Sequence, residues 1–95
     1  MTLDKPLNPS IKCADGFSMS VQGSRRHYCK PRTDSGPYIE LEIGFPTEEE
    51  PLLSPYQHAP DMYHPTEAPY YSVPIEVINK VIEKHGGIVV GQLPS

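Results

Sequence analysis

Ser24-Arg25-Arg26-His27-Tyr28-Cys29-Lys30-Pro31-Arg32 gathers the side chains of this sequence best suited to binding chemistry. Four of the eight cationic residues fall in those nine positions, in a chain of net charge −4, and no acidic residue occurs between Asp15 and Asp34. A cationic patch on an acidic protein concentrates anions locally whatever the overall sign. Guanidinium forks grip phosphate and a phenol ring stacks on a nucleobase, so arginine with tyrosine suits a phosphate-plus-base ligand. A connecting loop whose charges keep strand edges apart would have the same composition. On an extended segment Arg26, Tyr28 and Lys30 share one face, continued by Arg32, while Arg25, His27 and Cys29 share the other. The first set is the expected pocket lining. Arg25, Arg26 and Arg32 are the expected phosphate ligands, and Tyr28 stacks on a base or braces the loop.

Other chemistry is sparse. Cys29 lies two residues from His27, and a Cys–His pair on one strand face is conceivable. A nucleophile also needs an orienting group and an oxyanion site, and neither is legible, so no catalytic residue is expected. No nucleophile elbow, Walker loop, paired zinc cysteines or helical His-Glu-x-x-His motif occurs. His58, Asp61, His64 and Glu67 recur at every third position, but Pro60 and Pro65 exclude a helix there, and zinc sites use tighter paired spacings. They are expected to be polar loop residues, with no metal and no cofactor. One basic tract on an acidic chain supplies too few phosphate contacts for a nucleic-acid polymer. A small ligand with one to three phosphates, or an acidic protein partner, fits the charge supply better.

Those residues need a scaffold, and the 95-residue length suggests a single domain, 1–95. The apolar fraction is 37%, with no Trp and two Phe, so the core is thin and self-association is expected to hide part of the surface. Met1 to Pro6 contains no apolar h-region, and no apolar run approaches membrane-spanning length, so a cytoplasmic location and no membrane contact are expected. Cys13 and Cys29 are then expected to stay reduced.

Periodicity supplies the elements. Residues 1–9, with Pro6 and Pro9, form a loose arm. Ile11 and Cys13, then Phe17, Met19 and Val21, alternate with polar residues around Asp15-Gly16, a hairpin signal over residues 11–22. Asp34-Ser35-Gly36-Pro37 makes a second turn. Residues 38–45 alternate strictly, with Ile39, Leu41, Ile43 and Phe45 directed inward. Seven of the twelve prolines lie from Pro46 to Pro74, which predicts a long extended Pro- and Tyr-rich loop over residues 46–73. Pro74 opens a helix over residues 74–85, with Ile75, Val77, Ile78, Val81 and Ile82 as its apolar face and Gly86 as a left-handed cap. Ile88-Val89-Val90 reads as a short strand and residues 91–95 as a frayed tail. The expected fold is α+β: a small antiparallel sheet with one C-terminal amphipathic helix.

Residues 20–32, together with Gly36-Pro37-Tyr38, Glu40-Leu41-Glu42-Ile43-Gly44-Phe45-Pro46, Val73-Pro74-Ile75-Glu76-Val77 and His85-Gly86-Gly87-Ile88, resemble small phage-encoded proteins, and more narrowly the phage anti-Thoeris sponge proteins. The resemblance covers residues 17–46 and 73–88. It implies a small α+β protein that assembles as a homodimer or hexamer in the host cytoplasm. Such a protein binds a cyclic ADP-ribose isomer made by bacterial TIR-domain immune enzymes and does not cleave it. Some members also hold cyclic di- or trinucleotides in separate pockets of the hexamer. The family's phosphate-gripping residue matches within residues 24–32. No second arginine matches near the C-terminus, where Lys84 is the candidate ligand. The implied function is sequestration of a cyclic nucleotide signal that serves anti-phage immunity. The alternative is an anti-CRISPR-like inhibitor that docks on a host defence complex, with Glu48-Glu49-Glu50 mimicking nucleic-acid phosphates or simply forming a solvated loop tip.

Overall fold

The structure, a computed structural model, describes residues 5–95. Five strands and one helix build two layers: β1 (Ile11–Cys13), β2 (Ser18–Gln22), β3 (Glu40–Gly44), β4 (Pro69–Pro74), α1 (Ile75–Lys84) and β5 (Ile88–Val90). The sheet is antiparallel throughout, in the order β4-β3-β2-β1-β5. The α+β expectation therefore holds. Helix α1 leaves β4 at one sheet edge and delivers β5 to the other.

One face of the sheet carries the core. Ile11, Met19, Val21, Leu41, Ile43 and Val73 are fully buried, and α1 adds Ile78 and Val81. Burying these aliphatic side chains stabilises the domain by about 1.5–3 kcal/mol each. The opposite face presents Ser18, Ser20, Gln22, Glu40, Glu42 and Gly44. Period 2 in the sequence marked both faces.

Both ends of the third strand depart from that alternation. Leu41 and Ile43 point inward as expected, but Ile39 and Phe45 are 54% and 69% exposed. Phe45 has φ 51°, and this left-handed step turns its side chain out of the core register. Pro46 is buried in its place.

The hairpin expected around Asp15-Gly16 forms with a three-residue loop, Ala14-Asp15-Gly16. Cys13 N–H bonds to Phe17 O at 2.7 Å, and only Gly16 takes a positive φ. Asp15 instead accepts the Phe17 N–H at 2.9 Å.

The predicted loop over residues 46–73 shortens at its far end, because β4 occupies Pro69–Pro74. Its buried residues Tyr70 and Val73 are three apart, opposite Ile43 and Leu41, which are two apart. One extra residue, with Ser72 at φ 51°, makes a bulge and hides the strand from any period-2 search. The remaining loop is anchored by Leu53, Ala68 and Glu50, all buried, and by the Tyr70 hydroxyl, which donates to Pro65 O at 2.6 Å.

Helix α1 ends as predicted. Gly87 N–H bonds to Ile82 O at 2.9 Å and Gly86 N–H to Glu83 O at 3.1 Å, the paired bonds of a Schellman cap. Pro74 is the N-cap rather than the first helical residue. The described part of the arm is tethered: Asn8 N–H donates to Gln22 Oε1 at 2.8 Å and Asn8 Nδ2 to Gln92 O at 2.9 Å, which also ties down the tail. Residues 1–4 of the predicted arm lie outside the described residues. No helix among the described residues is long and apolar enough to cross a membrane.

Candidate ligand-binding site

Strand β2 delivers the basic tract into a tight turn. His27 N–H bonds to Ser24 O at 3.2 Å, and Ser24 Oγ accepts the Arg26 N–H at 3.0 Å and lies 2.6 Å from His27 Nδ1. This hydroxyl gives the backbone an alternative to the sheet ladder, so residues 24–27 fold over instead of extending. Gly23 makes the bend possible: a Cβ there would lie 2.8 Å from Leu41 Cδ2 and 2.9 Å from the Tyr38 ring.

The turn corrects the expected facing. Arg25, Arg26 and His27 line one cavity of about 290 Å³ together with Lys5, Leu7 and Asp34. Alternation would have separated Arg25 and His27 from Arg26. Asp34 accepts the Arg25 N–H at 3.0 Å and pairs with its guanidinium. The backbone hydrogen bond from Arg25, then the Arg25 and Lys5 charges, hold the Asp34 carboxyl below its ordinary value against some desolvation. Lys5 Nζ donates to Gly23 O at 2.9 Å and to the Tyr38 hydroxyl at 3.1 Å. Among the described residues, Lys5, Arg25 and Arg26 and the Asp34 carboxylate supply the charged lining of the cavity.

Tyr28 and Arg32 stand apart from that cavity. The Arg32 guanidinium lies 4.5 Å from the Tyr28 ring centroid and the Tyr71 ring lies 4.1 Å from it, so a stacked base would have to displace one of them. These contacts tie the loop to strand β4 through Tyr28. Tyr28 O also accepts the Ser72 N–H at 3.0 Å. His58 joins the row 4.8 Å from Tyr71. Lys30 bridges to Glu40 through its backbone, at 3.0 Å from Lys30 N to Glu40 O. Lys84 lies at the end of α1, where its Nζ bonds to Glu50 at 3.0 Å. Arg32, Tyr28, Lys30 and Lys84 are therefore not gathered with Arg25, Arg26 and His27.

The Cys29 thiol donates to Ser24 O at 3.2 Å and Pro31 O at 3.3 Å, while His27 Nδ1 engages Ser24. The two side chains do not form a nucleophilic pair. Cys13 and Cys29 are both buried and unpaired. Among the described residues no three His, Cys, Asp or Glu side chains gather as metal ligands.

Sequence reasoning missed the most strongly coupled polar cluster. His85 is 7% exposed, stacked 4.0 Å from Phe17, with Nδ1 2.6 Å from Asp15 and Nε2 2.7 Å from Glu50. Desolvation pulls the His85 pKa down, but the hydrogen bonds to Glu50 and Asp15 and their charges outweigh it and leave the value raised. Burial pushes Glu50 up, and it is outweighed by the Leu52 N–H, His85 and Lys84, so its carboxyl sits low. Glu50 is therefore neither a solvated loop tip nor a phosphate mimic. The cluster forms because Ala14 N–H bonds to Gly87 O and Asp15 N–H to His85 O, seating the helix end on the first hairpin. The only sequence signal for it is Gly86-Gly87, which fixes where the helix ends.

Comparison with known protein families, curated proteins and solved structures finds no match for this chain.

Proposed function

We propose that this protein binds a cyclic nucleotide signal and holds it without turnover, withdrawing it from a bacterial anti-phage response. The observation that carries the proposal is the cavity where Lys5, Arg25, Arg26 and His27 converge. Charge-assisted bonds from fixed guanidinium and ammonium groups are the strong anchors for phosphate. The resemblance of residues 17–46 and 73–88 to the anti-Thoeris sponge proteins supplies the ligand class. Sequestration needs tight binding and no activated nucleophile, and the Cys29 thiol is committed to two carbonyls. The protein acts in the host cytoplasm as a phage product, as a homodimer or hexamer, with no metal or cofactor.

Calorimetry against cyclic ADP-ribose isomers and cyclic di- and trinucleotides tests this. Arg26→Ala is expected to weaken binding about tenfold or more, the loss of one charge-assisted contact worth about 1.5–3 kcal/mol. Chromatography of ligand released by heating should return it intact, and a hydrolysed product would make the protein an enzyme. A second reading, docking on a host defence complex, is favoured by the outer strand β5, where Val89 and Val90 are exposed at a sheet edge. Absence of heat with every nucleotide, with capture of a defence protein, would support that alternative.

A further inference from the structure

A second cavity of about 290 Å³ adjoins the first and shares Leu7 and His27 with it. Its floor is the outward face of the sheet, at the paired residues Ser20 and Gly44. Gln22, Glu42, Phe45 and Pro69 complete its lining.

Gly44 has no folding reason to be glycine. It is paired with Ser20 on one side and Pro69 on the other, and it is not among the positive-φ glycines. A Cβ there would meet only Ser20 Cβ, at an ordinary 3.9 Å. Glycine weakens a strand interior, and a strand glycine often marks where a ligand approaches the backbone. The missing side chain keeps the floor of this cavity open.

Phe45 makes a second, independent mark. It adopts φ 51°, a conformation that a bulky residue avoids, and leaves its ring exposed beside the cavity rather than in the core. Backbone strain of this kind concentrates at binding sites. An exposed ring beside a floor that lacks a side chain suits a planar heterocycle. Glu42 Oε1 accepts the Tyr28 N–H at 2.9 Å, which orients the carboxylate while leaving it further accepting capacity.

We propose that this second cavity is the base subsite of the same ligand and that it selects guanine, an assignment that rests on the anion site of the first cavity. The base lies over Gly44 and Ser20 against the Phe45 ring. The Glu42 carboxylate, an acceptor only, takes the N1–H and N2–H of guanine. Adenine would turn its N1 lone pair toward those oxygens, and hypoxanthine supplies a single donor. The ribose bridges past His27 and Leu7 to place its phosphate at Arg25, Arg26 and Lys5. For these two adjoining cavities this narrows the ligand, within the class proposed above, to cyclic nucleotides that carry guanine.

Calorimetry with 3′,5′-cyclic GMP, cyclic IMP, cyclic AMP and ribose 5-phosphate provides the test, on the parent protein, Gly44→Val and Glu42→Gln. Cyclic GMP is expected to bind about tenfold or more tightly than the other three, since a site built for two hydrogen bonds penalises a base that lacks them. Gly44→Val fills the slot with a residue suited to a strand. It should reduce cyclic GMP to the affinity of ribose 5-phosphate and leave ribose 5-phosphate itself unchanged. Glu42→Gln keeps an acceptor for the Tyr28 N–H and should abolish the preference for guanine. Thermal midpoints at or above the parent value show that neither variant acts by unfolding. Equal affinity for all four ligands overturns the base subsite and leaves the anion site standing. Tighter binding of cyclic AMP, or full cyclic GMP affinity in Gly44→Val, overturns the guanine assignment or its placement. Failure of all four to bind overturns the subsite together with the anion site.

Discussion

The imidazole of His85 lies between the carboxylates of Asp15 and Glu50, with Lys84 on the far side of Glu50 and the ring of Phe17 beneath it. Glu48 also faces Nδ1, at 3.9 Å. A raised His85 pKa means that its contribution to stability is complete below the ordinary value of 6.5 and is lost as pH rises through the raised value. The lowered Asp15 and Glu50 values work the other way. Their contribution is complete above 3.8 and 4.5 and is lost as pH falls. Thermal stability is therefore expected to be greatest between 4.5 and 6.5 and to decline on the alkaline side. Melting followed from 4.5 to well above 6.5 should show His85→Gln losing the alkaline decline, and an unchanged profile in the variant would refute the assignment. His85→Ala removes one partner of the buried Glu50, which keeps Lys84 and the Leu52 N–H, and is expected to cost about 1–3 kcal/mol, read by urea unfolding.

Two glycines show how differently the elements use the same residue. Gly86 has φ 92°, and a Cβ on it would lie 2.9 Å from Ala14 Cβ, where the helix end meets the first hairpin. Gly86→Ala therefore pays both left-handed strain and overpacking, and should destabilise by about 2 kcal/mol or more. Gly44 sits in a strand with neither constraint. Gly44→Ala should be neutral or stabilise by about 0.5–1 kcal/mol. Urea midpoints of the two variants check the contrast. Equal losses at both positions would mean that strand β3 needs its glycine for folding, not for open space.

At the scale of the molecule, the radius of gyration is 12.7 Å, close to the roughly 12.4 Å expected of a compact domain this long. The Pro-rich segment is therefore folded onto the body, where Leu53 and Glu50 hold it. Exposed apolar side chains include Leu7 and Phe45 beside the cavities, and Val89 and Val90 on the β5 edge. An edge strand with exposed valines invites pairing with another chain. Sedimentation at micromolar concentration is expected to give a species larger than the 10.6 kDa chain. Val89→Lys should shift it toward monomer. A clean monomer for the parent protein would end the homo-oligomer proposal.

Residue order alone was enough for the features that depend on near neighbours. Alternation at Met19 and Val21 and at Leu41 and Ile43 defined the buried face, because successive strand side chains point to opposite sides. The apolar stripe and Gly86 defined α1 and its end, because both follow from helical geometry. The basic tract was legible as composition, yet its facing was not. Ser24 Oγ turned the chain back at residues 24–27, and that local bond competes with extension in a way that spacing does not reveal. Strand β4 was hidden by its bulge, which only pairing with β3 defines. The turn and the arm bring Arg25, Arg26, His27 and Lys5 to one cavity, whereas helix packing carries Lys84 to Glu50 instead. The His85 cluster joins residues up to 70 positions apart, so only closure of the chain could assemble it.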